Sequence, residues 1–282
     1  MTDSSDHSQP PLPEEKRLLY TSESIFSAAT SRFPMTSTPL TPDEKLHGIP
    51  PLAADSGSTL FHCVLKRPTV EWLYVDGEWF CGAEPMMERF ARELRFFQNV
   101  KRHANIVRFL AVVDDMGLLI EHIHGDELAT RLYRQPDIPL GLKTRWVNQM
   151  IDALCHIHSF SLSHGTISLT NVLVTTADDT IKLIDFGNSA KNGERVYPST
   201  VPFEAPEVRQ KGVVDVDPLL ADTYAFGVLV LFIDAIPPLE IEDITDRIES
   251  ATNFSVLVKQ YVQPVQTRTA VHMSHRLPIV SE

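Results

Sequence analysis

The sequence predicts an α+β fold in two lobes: a small five-stranded lobe with one helix, then a larger, mainly helical lobe, shortened at its C-terminal end. Three observations carry this. Between residues 59 and 123, short β-branched and apolar runs alternate with turn residues around one helix-periodic stretch. Beyond 124, apolar residues recur mostly at helical spacing. A chain of 282 residues that is 43% hydrophobic and 22% charged can bury a core of this size, which excludes global disorder. The expected division is a leader at 1–57, the small lobe at 58–123, the large lobe at 124–260 and a tail at 261–282.

The leader is rich in Ser, Thr and Pro, with apolar residues in no regular period. Such a stretch cannot offset its ordering entropy by burial and is expected to be disordered. Thr38-Pro39 and Thr41-Pro42 within it suit proline-directed phosphorylation. Thr59–Leu65 and Val70–Val75 then read as strands. Asp76-Gly77 is a strong hairpin signal, and Glu78–Cys81 returns as a third strand. Pro85 opens a helix, since a proline at the first helical position sacrifices no hydrogen bond. Phe90, Leu94, Phe97 and Lys101 mark one face of it. Strands are expected at Ile106–Val113 and Leu118–Ile123.

In the second half, Trp146, Met150, Leu154 and Ile157 mark a helix over Leu142–Phe160. Strands at Val172–Thr175 and Ile181–Ile184 flank a turn. Ala221–Ala235 is apolar nearly all round, the mark of a buried helix, and a polar helix is expected near Glu242–Ser250.

The net charge of −12 lacks the footprint of a nucleic-acid binder. Cys63, Cys81 and Cys155 have neither zinc-ligand spacing nor an even count for disulfides. No N-terminal signal peptide is evident, and the run Ala225–Ile233 falls short of a membrane span. An intracellular protein, cytoplasmic or nuclear, is expected.

The second half and the strands before it carry a resemblance. HANIV at 103–107, HGTISLTNVLV at 164–174, IKLIDFG at 181–187, TVPFEAPE at 200–207 and DTYAFG at 222–227 stand in the order of the landmarks of a eukaryotic protein kinase domain. The chain thus resembles that family over residues 59–250, and Gly165 after the loop histidine is similar to a fungal kinase-like group. The resemblance implies a protein kinase-like fold with Mg²⁺ and ATP as cofactors if nucleotide binding is retained. It implies Asn171 and Asp185 as metal ligands, and Glu121 and Ile123 as hinge residues beside the gatekeeper Ile120. His164, Phe186, Phe97 and Phe109 are expected to stack between the lobes, and Asp222 to bind the catalytic-loop backbone. Glu207 is expected to pair with Arg268 or Arg276.

Phosphoryl transfer is mostly positioning and charge neutralisation. By the resemblance, the catalytic Asp position holds Thr166, and the lysine two residues on is Ser168. A threonine hydroxyl cannot take a proton near pH 7. The arginine that reads a phosphorylated activation loop is Gly165.

The strand-three lysine has two readings. Strand counting favours 59–65, 70–75 and 78–81 as the first three strands. The lysine position then falls near Cys81 or Gly82, the loop KRPT between strands one and two lacks glycine, and Glu93 has no lysine partner. The other reading makes Lys66 the phosphate lysine and Glu93 its partner, 27 positions on. It requires GIPPLAADSGST, a poor strand former, to supply strands one and two.

Together these residues imply a pseudokinase acting as a binding or regulatory module for a protein partner. The alternative is a weak ATP-dependent Ser/Thr kinase, for which Thr200 is the matching residue type.

Overall fold

In the computed structural model, the structure describes residues 11–14, 27–28, 41–69, 72–114, 116–211, 216–235, 247–248 and 251–278. Most of the expected leader, Thr38-Pro39 and nearly all of the expected helix at Glu242–Ser250 lie outside them. The leader boundary is corrected at its end. Helix α1 (Pro42–Leu46) and strand β1 (Pro51–Ala54) both fall before residue 57. Thr41 and Glu44 form a reciprocal capping box with Pro42 at the first helical position, so the Thr41 hydroxyl is a helix cap. Arg108 and Arg102 donate to carbonyls at the end of this helix, Arg108 to that of His47 and Arg102 to that of Glu44.

Seven strands, not five, precede residue 122 among the described residues. β1 pairs antiparallel with β2 (Thr59–Phe61). β3 (Cys63–Lys66) lies at the edge of a three-stranded sheet with β7 (Gly117–Glu121) at its centre and β6 (Phe109–Val113) beyond. β4 (Trp72–Val75) and β5 (Glu78–Cys81) form a separate hairpin.

The strand assignment favoured by counting is therefore corrected. Thr59–Leu65 is split between two strands that enter different sheets, and the Asp76-Gly77 hairpin is an addition between β3 and the helix. The turn itself forms as its sequence requires, with φ of +50° at Asp76 and +87° at Gly77. Pro/Ala-rich β1 persists because a short edge strand tolerates residues that a central strand would not.

Helix α2 runs Ala83–Asn99, beginning two residues before Pro85. Proline is tolerated there because the first four N–H groups of a helix have no intrahelical acceptor. Its apolar face packs Phe90, Ala91 and Leu94 on Leu118 of β7, with Phe97, Phe109 and Val112 around them.

In the large lobe, β8 (Gly125–Glu127), β9 (Val172–Thr175) and β10 (Ile181–Leu183) form a small sheet in the order β10-β9-β8. α3 (Leu128–Arg134) follows β8 directly. α4 (Leu140–His158) buries Trp146, Met150, Leu154 and Ile157 completely, the stripe its spacing marks. The Trp146 Nε1 donates to the carbonyl of Asp179 at 2.8 Å, fixing the β9–β10 turn to the helix.

α5 (Pro206–Lys211) and α6 (Pro218–Ala235) complete this core with α7 (Ser255–Tyr261). α6 is long and apolar enough to cross a membrane, but 78% of it is buried within the domain. Asp234 near its end accepts from the backbone N–H groups of Thr252 (2.8 Å), Asn253 (3.3 Å) and Phe254 (3.1 Å), so one carboxylate caps α7 across the fold. Arg268 forms the buried bidentate pair with Glu207, while Arg276 lies 3.4 Å from Asp152.

The lobes meet along HANIV. The N–H of Leu183 donates to the carbonyl of Asn105, and that of Val107 to the carbonyl of Leu183, both at 2.9 Å. The Asn105 side chain donates to Ile181 at 2.9 Å.

Candidate functional site

The strand pairing of β3 on β7 aims Lys66 into the cleft. Its Nζ lies 2.7 Å from Glu93 Oε2 of α2 and 2.8 Å from Asp185 Oδ1. Glu93 is 2% exposed and also accepts from the backbone N–H of Phe186 at 3.4 Å. Burial opposes the Lys66 charge, but the two carboxylates outweigh it and hold the ammonium above its ordinary range. Burial pushes the Asp185 carboxyl up, but Lys66, the Gly187 N–H and Arg89 together hold it below the ordinary carboxylate range. Burial leaves Glu93 raised despite the lysine. The lysine-less reading of Glu93 is thereby corrected: strand three ends on Lys66.

Arg89, which the sequence reading passed over, approaches Asp185 Oδ2 at 3.9 Å. Both oxygens of that carboxylate therefore face cations. Asp185 itself sits at φ +63°.

The catalytic-loop segment hangs on Asp222. Its carboxylate accepts from the N–H groups of His164 at 2.6 Å and Gly165 at 2.9 Å, and contacts His158 Nε2 at 3.0 Å. Asn171 Nδ2 closes the loop on the Thr166 carbonyl at 2.8 Å, which leaves its amide oxygen for another partner. The Thr166 hydroxyl is buried without a hydrogen bond among the described residues. Ser168 spends its hydroxyl on Thr170 at 3.0 Å. The oxygens of Asp185 and Asn171 are a hard donor set of the type Mg²⁺ takes.

Between the lobes the expected aromatic stack is formed. Phe109 stacks on Phe97 (centroids 5.3 Å), Phe97 meets Phe186 edge-on (5.6 Å), and Phe186 meets His164 (4.9 Å). Phe96 lies flat on Phe186 at 3.7 Å as well. It falls outside the stripe read from spacing because the buried face of α2 is wider than one row.

Ile120 and Ile123 are half-buried against the main core. Glu121 turns its side chain to Lys182 (2.8 Å) and to the N–H of Arg108 (2.9 Å), and its own N–H donates to Arg108, so it pins the linker.

The β1–β2 turn is Asp55-Ser56-Gly57-Ser58. The Asp55 carboxylate accepts from the N–H groups of Gly57 at 2.8 Å and Ser58 at 2.6 Å. An internal anion thus occupies donors that a glycine-rich loop offers to phosphates.

The segment after Asp185 is fastened to α2. Arg95 donates to Glu194 (2.8 Å) and to the Ser189 carbonyl (3.1 Å). Arg92 donates to the Arg195 carbonyl at 2.8 Å and lies 4.9 Å over the Tyr197 ring. The Tyr197 hydroxyl donates to Glu88. Only the Glu88–Arg92 spacing within this set is visible in the sequence.

An ammonium held between a helix glutamate and a loop aspartate, across two lobes joined by a short linker, defines a two-lobed domain of the kinase-like class. The family described as "Protein kinase domain" matches residues 82–275, and the chain belongs to that family. Strands β1–β5 and Lys66 lie outside the matched range.

Among curated relatives, the chain is similar to a "Probable inactive receptor kinase" of Arabidopsis thaliana, 25% identical over 64% of this chain and 18% of that protein. It is 28% identical to "Aurora kinase" of Yarrowia lipolytica over 54% of this chain and 42% of that protein. It is 30% identical to "CBL-interacting protein kinase 8" of Oryza sativa subsp. japonica over 59% and 39%. The chain spans less than half the length of each of these three.

Proposed function

We propose that this protein kinase domain is catalytically impaired, a pseudokinase that retains the floor of a nucleotide site and serves as a binding or regulatory module for a protein partner. One observation carries the reading. The residue at the base position, Thr166, is a buried hydroxyl with no hydrogen bond among the described residues, while the surrounding scaffold is assembled. Loss of a general base alone is worth roughly 10²–10⁴ in rate. Ser168, engaged with Thr170, supplies no cation for the transferred phosphate.

Lys66 would grip the α- and β-phosphates, and Asn171 and Asp185 would hold Mg²⁺. When bound, that ion would supply positive charge to neutralise the phosphates. Asp55, whose carboxylate occupies the N–H groups of the β1–β2 turn, works against tight binding. The three unpaired thiols suit an intracellular, reducing compartment.

The test has two arms. Purified full chain is assayed for transfer of labelled γ-phosphate to itself and to generic substrates, and for a thermal shift with Mg-ATP. Negligible transfer is expected. A millimolar Kd at millimolar ligand adds about 0.4 kcal/mol, a shift of roughly 1–2 °C, and Lys66→Ala should abolish it. Robust autophosphorylation that is lost in Asp185→Ala overturns the proposal in favour of a working Ser/Thr kinase.

A further inference from the structure

Three histidines gather on the outer side of the linker between the lobes. The β3–β7 register pairs Cys63 with Glu121. Carried one residue past the ladder, it sets His62 opposite His122. Directly opposed residues of an antiparallel pair share a face. His124, two residues along an extended chain, returns to that same face.

The rings follow this arithmetic. Their centroids lie 5.6 Å apart for His62–His122, 5.7 Å for His62–His124 and 4.4 Å for His122–His124. One nitrogen from each ring lies within 4.8 Å of one from each of the others, and all three residues are exposed.

We propose that His62, His122 and His124 form a binding site for a divalent transition-metal ion of the zinc type, clipping the β2–β3 connection to the interlobe linker. Three imidazoles are a strong donor set for such an ion, with a fourth position left to water. Zinc–nitrogen bonds of about 2.0–2.1 Å require the three nitrogens to draw closer than they stand. Exposed side chains reach that by rotation about χ1 and χ2, while the register already supplies the shared face. A hard cation such as Mg²⁺ prefers oxygen and is not the ion expected here. The site uses no residue of the cleft, so it stands whether or not nucleotide binds.

The probe is the metal alone. The full chain is titrated with Zn²⁺ by calorimetry and with Co²⁺ by visible absorption. The expected result is one site per chain, with the Co²⁺ bands of a low-coordinate nitrogen–oxygen environment. His62→Ala, His122→Ala and His124→Ala should each weaken binding by more than the roughly 10–100-fold that loss of a mere supporting residue costs. His272→Ala/His275→Ala, which removes a histidine pair near the C-terminus, should leave it unchanged. Circular dichroism confirms that the variants fold. The proposal is overturned if the wild-type chain binds no Zn²⁺, if the triple-alanine variant binds it equally well, or if affinity follows His272 and His275 instead. Should one variant not fold, the histidine-ring NMR shifts of the wild-type chain decide the matter, since Zn²⁺ must perturb these three rings and not His272 or His275.

Discussion

Gly165 carries a φ of +85°, and a Cβ built on it would fall 2.2 Å from the Asn188 carbonyl oxygen. The position that in related kinases holds a phosphate-reading arginine is therefore sterically closed here. Restoring that arginine would strain the loop before it could reach any phosphate. Gly165→Ala is expected to destabilise by at least about 1–2 kcal/mol from backbone handedness alone. At roughly 2–4 °C per kcal/mol, differential scanning fluorimetry should register the loss. An unchanged Tm would show that the loop relaxes freely.

Of the individual site residues, Asp185, Asn171 and Thr166 were legible because each sits inside a motif whose neighbours fix its position. Lys66 was not. Which strand it ends depends on its pairing with Leu118, some fifty residues away, and the Asp-Gly turn spoke more loudly than CVLK. The turn was right about the hairpin. It carried no information about which sheet the hairpin joins.

Helix α2 and the segment after Asp185 are joined without a phosphate. Glu194 supplies the negative charge and Arg92 and Arg95 the cations. Arg95→Ala should free that segment, so limited proteolysis should cut between residues 188 and 200 sooner than in the wild type. Equal cutting would mean that Arg95 is a bystander.

The cap on α7 makes a pH prediction. Burial raises the Asp234 carboxyl, but its hydrogen bonds from Asn253, Phe254 and Thr252 outweigh that and hold it below its ordinary range. A depressed carboxylate contributes stability that is fully present above its unfolded value, near 3.9, and is lost as pH falls through the folded one. Asp234→Asn should therefore lower Tm at pH 7, and the gap from wild type should close in strong acid. A gap independent of pH would assign the loss to packing.

The sequence could not show this cap, since donors and acceptor belong to elements separated by residues 236–250. The helices it links were legible in part. α6 announced itself by composition, whereas seven-residue α7 offers too few turns for a period.

The two candidate partners of Glu207 now separate by burial. Arg268 has no exposed side-chain surface and also donates to the Leu220 carbonyl, whereas Arg276 is 47% exposed. Arg268→Ala leaves a buried carboxylate without its cation and should cost about 3–5 kcal/mol. Arg276→Ala should cost at most about 1 kcal/mol. Chemical denaturation of the two variants checks the ranking, and similar losses would refute it. The two-lobed architecture was legible because its large-lobe motifs are contiguous. The small lobe was legible only as strands and a helix, its sheet order being set by long-range pairing.

The family match begins at residue 82, yet the lysine that neutralises Glu93 comes from residue 66. A fragment cut at the match would keep Glu93 sealed inside the helix face and remove its only ammonium contact among the described residues. It would also strip β7 of an edge partner, baring a row of backbone donors and acceptors along an apolar strand. Such a fragment is a candidate for aggregation rather than a minimal domain. Shortening this chain from the front past Thr41 would also remove the capped helix and its arginine anchors.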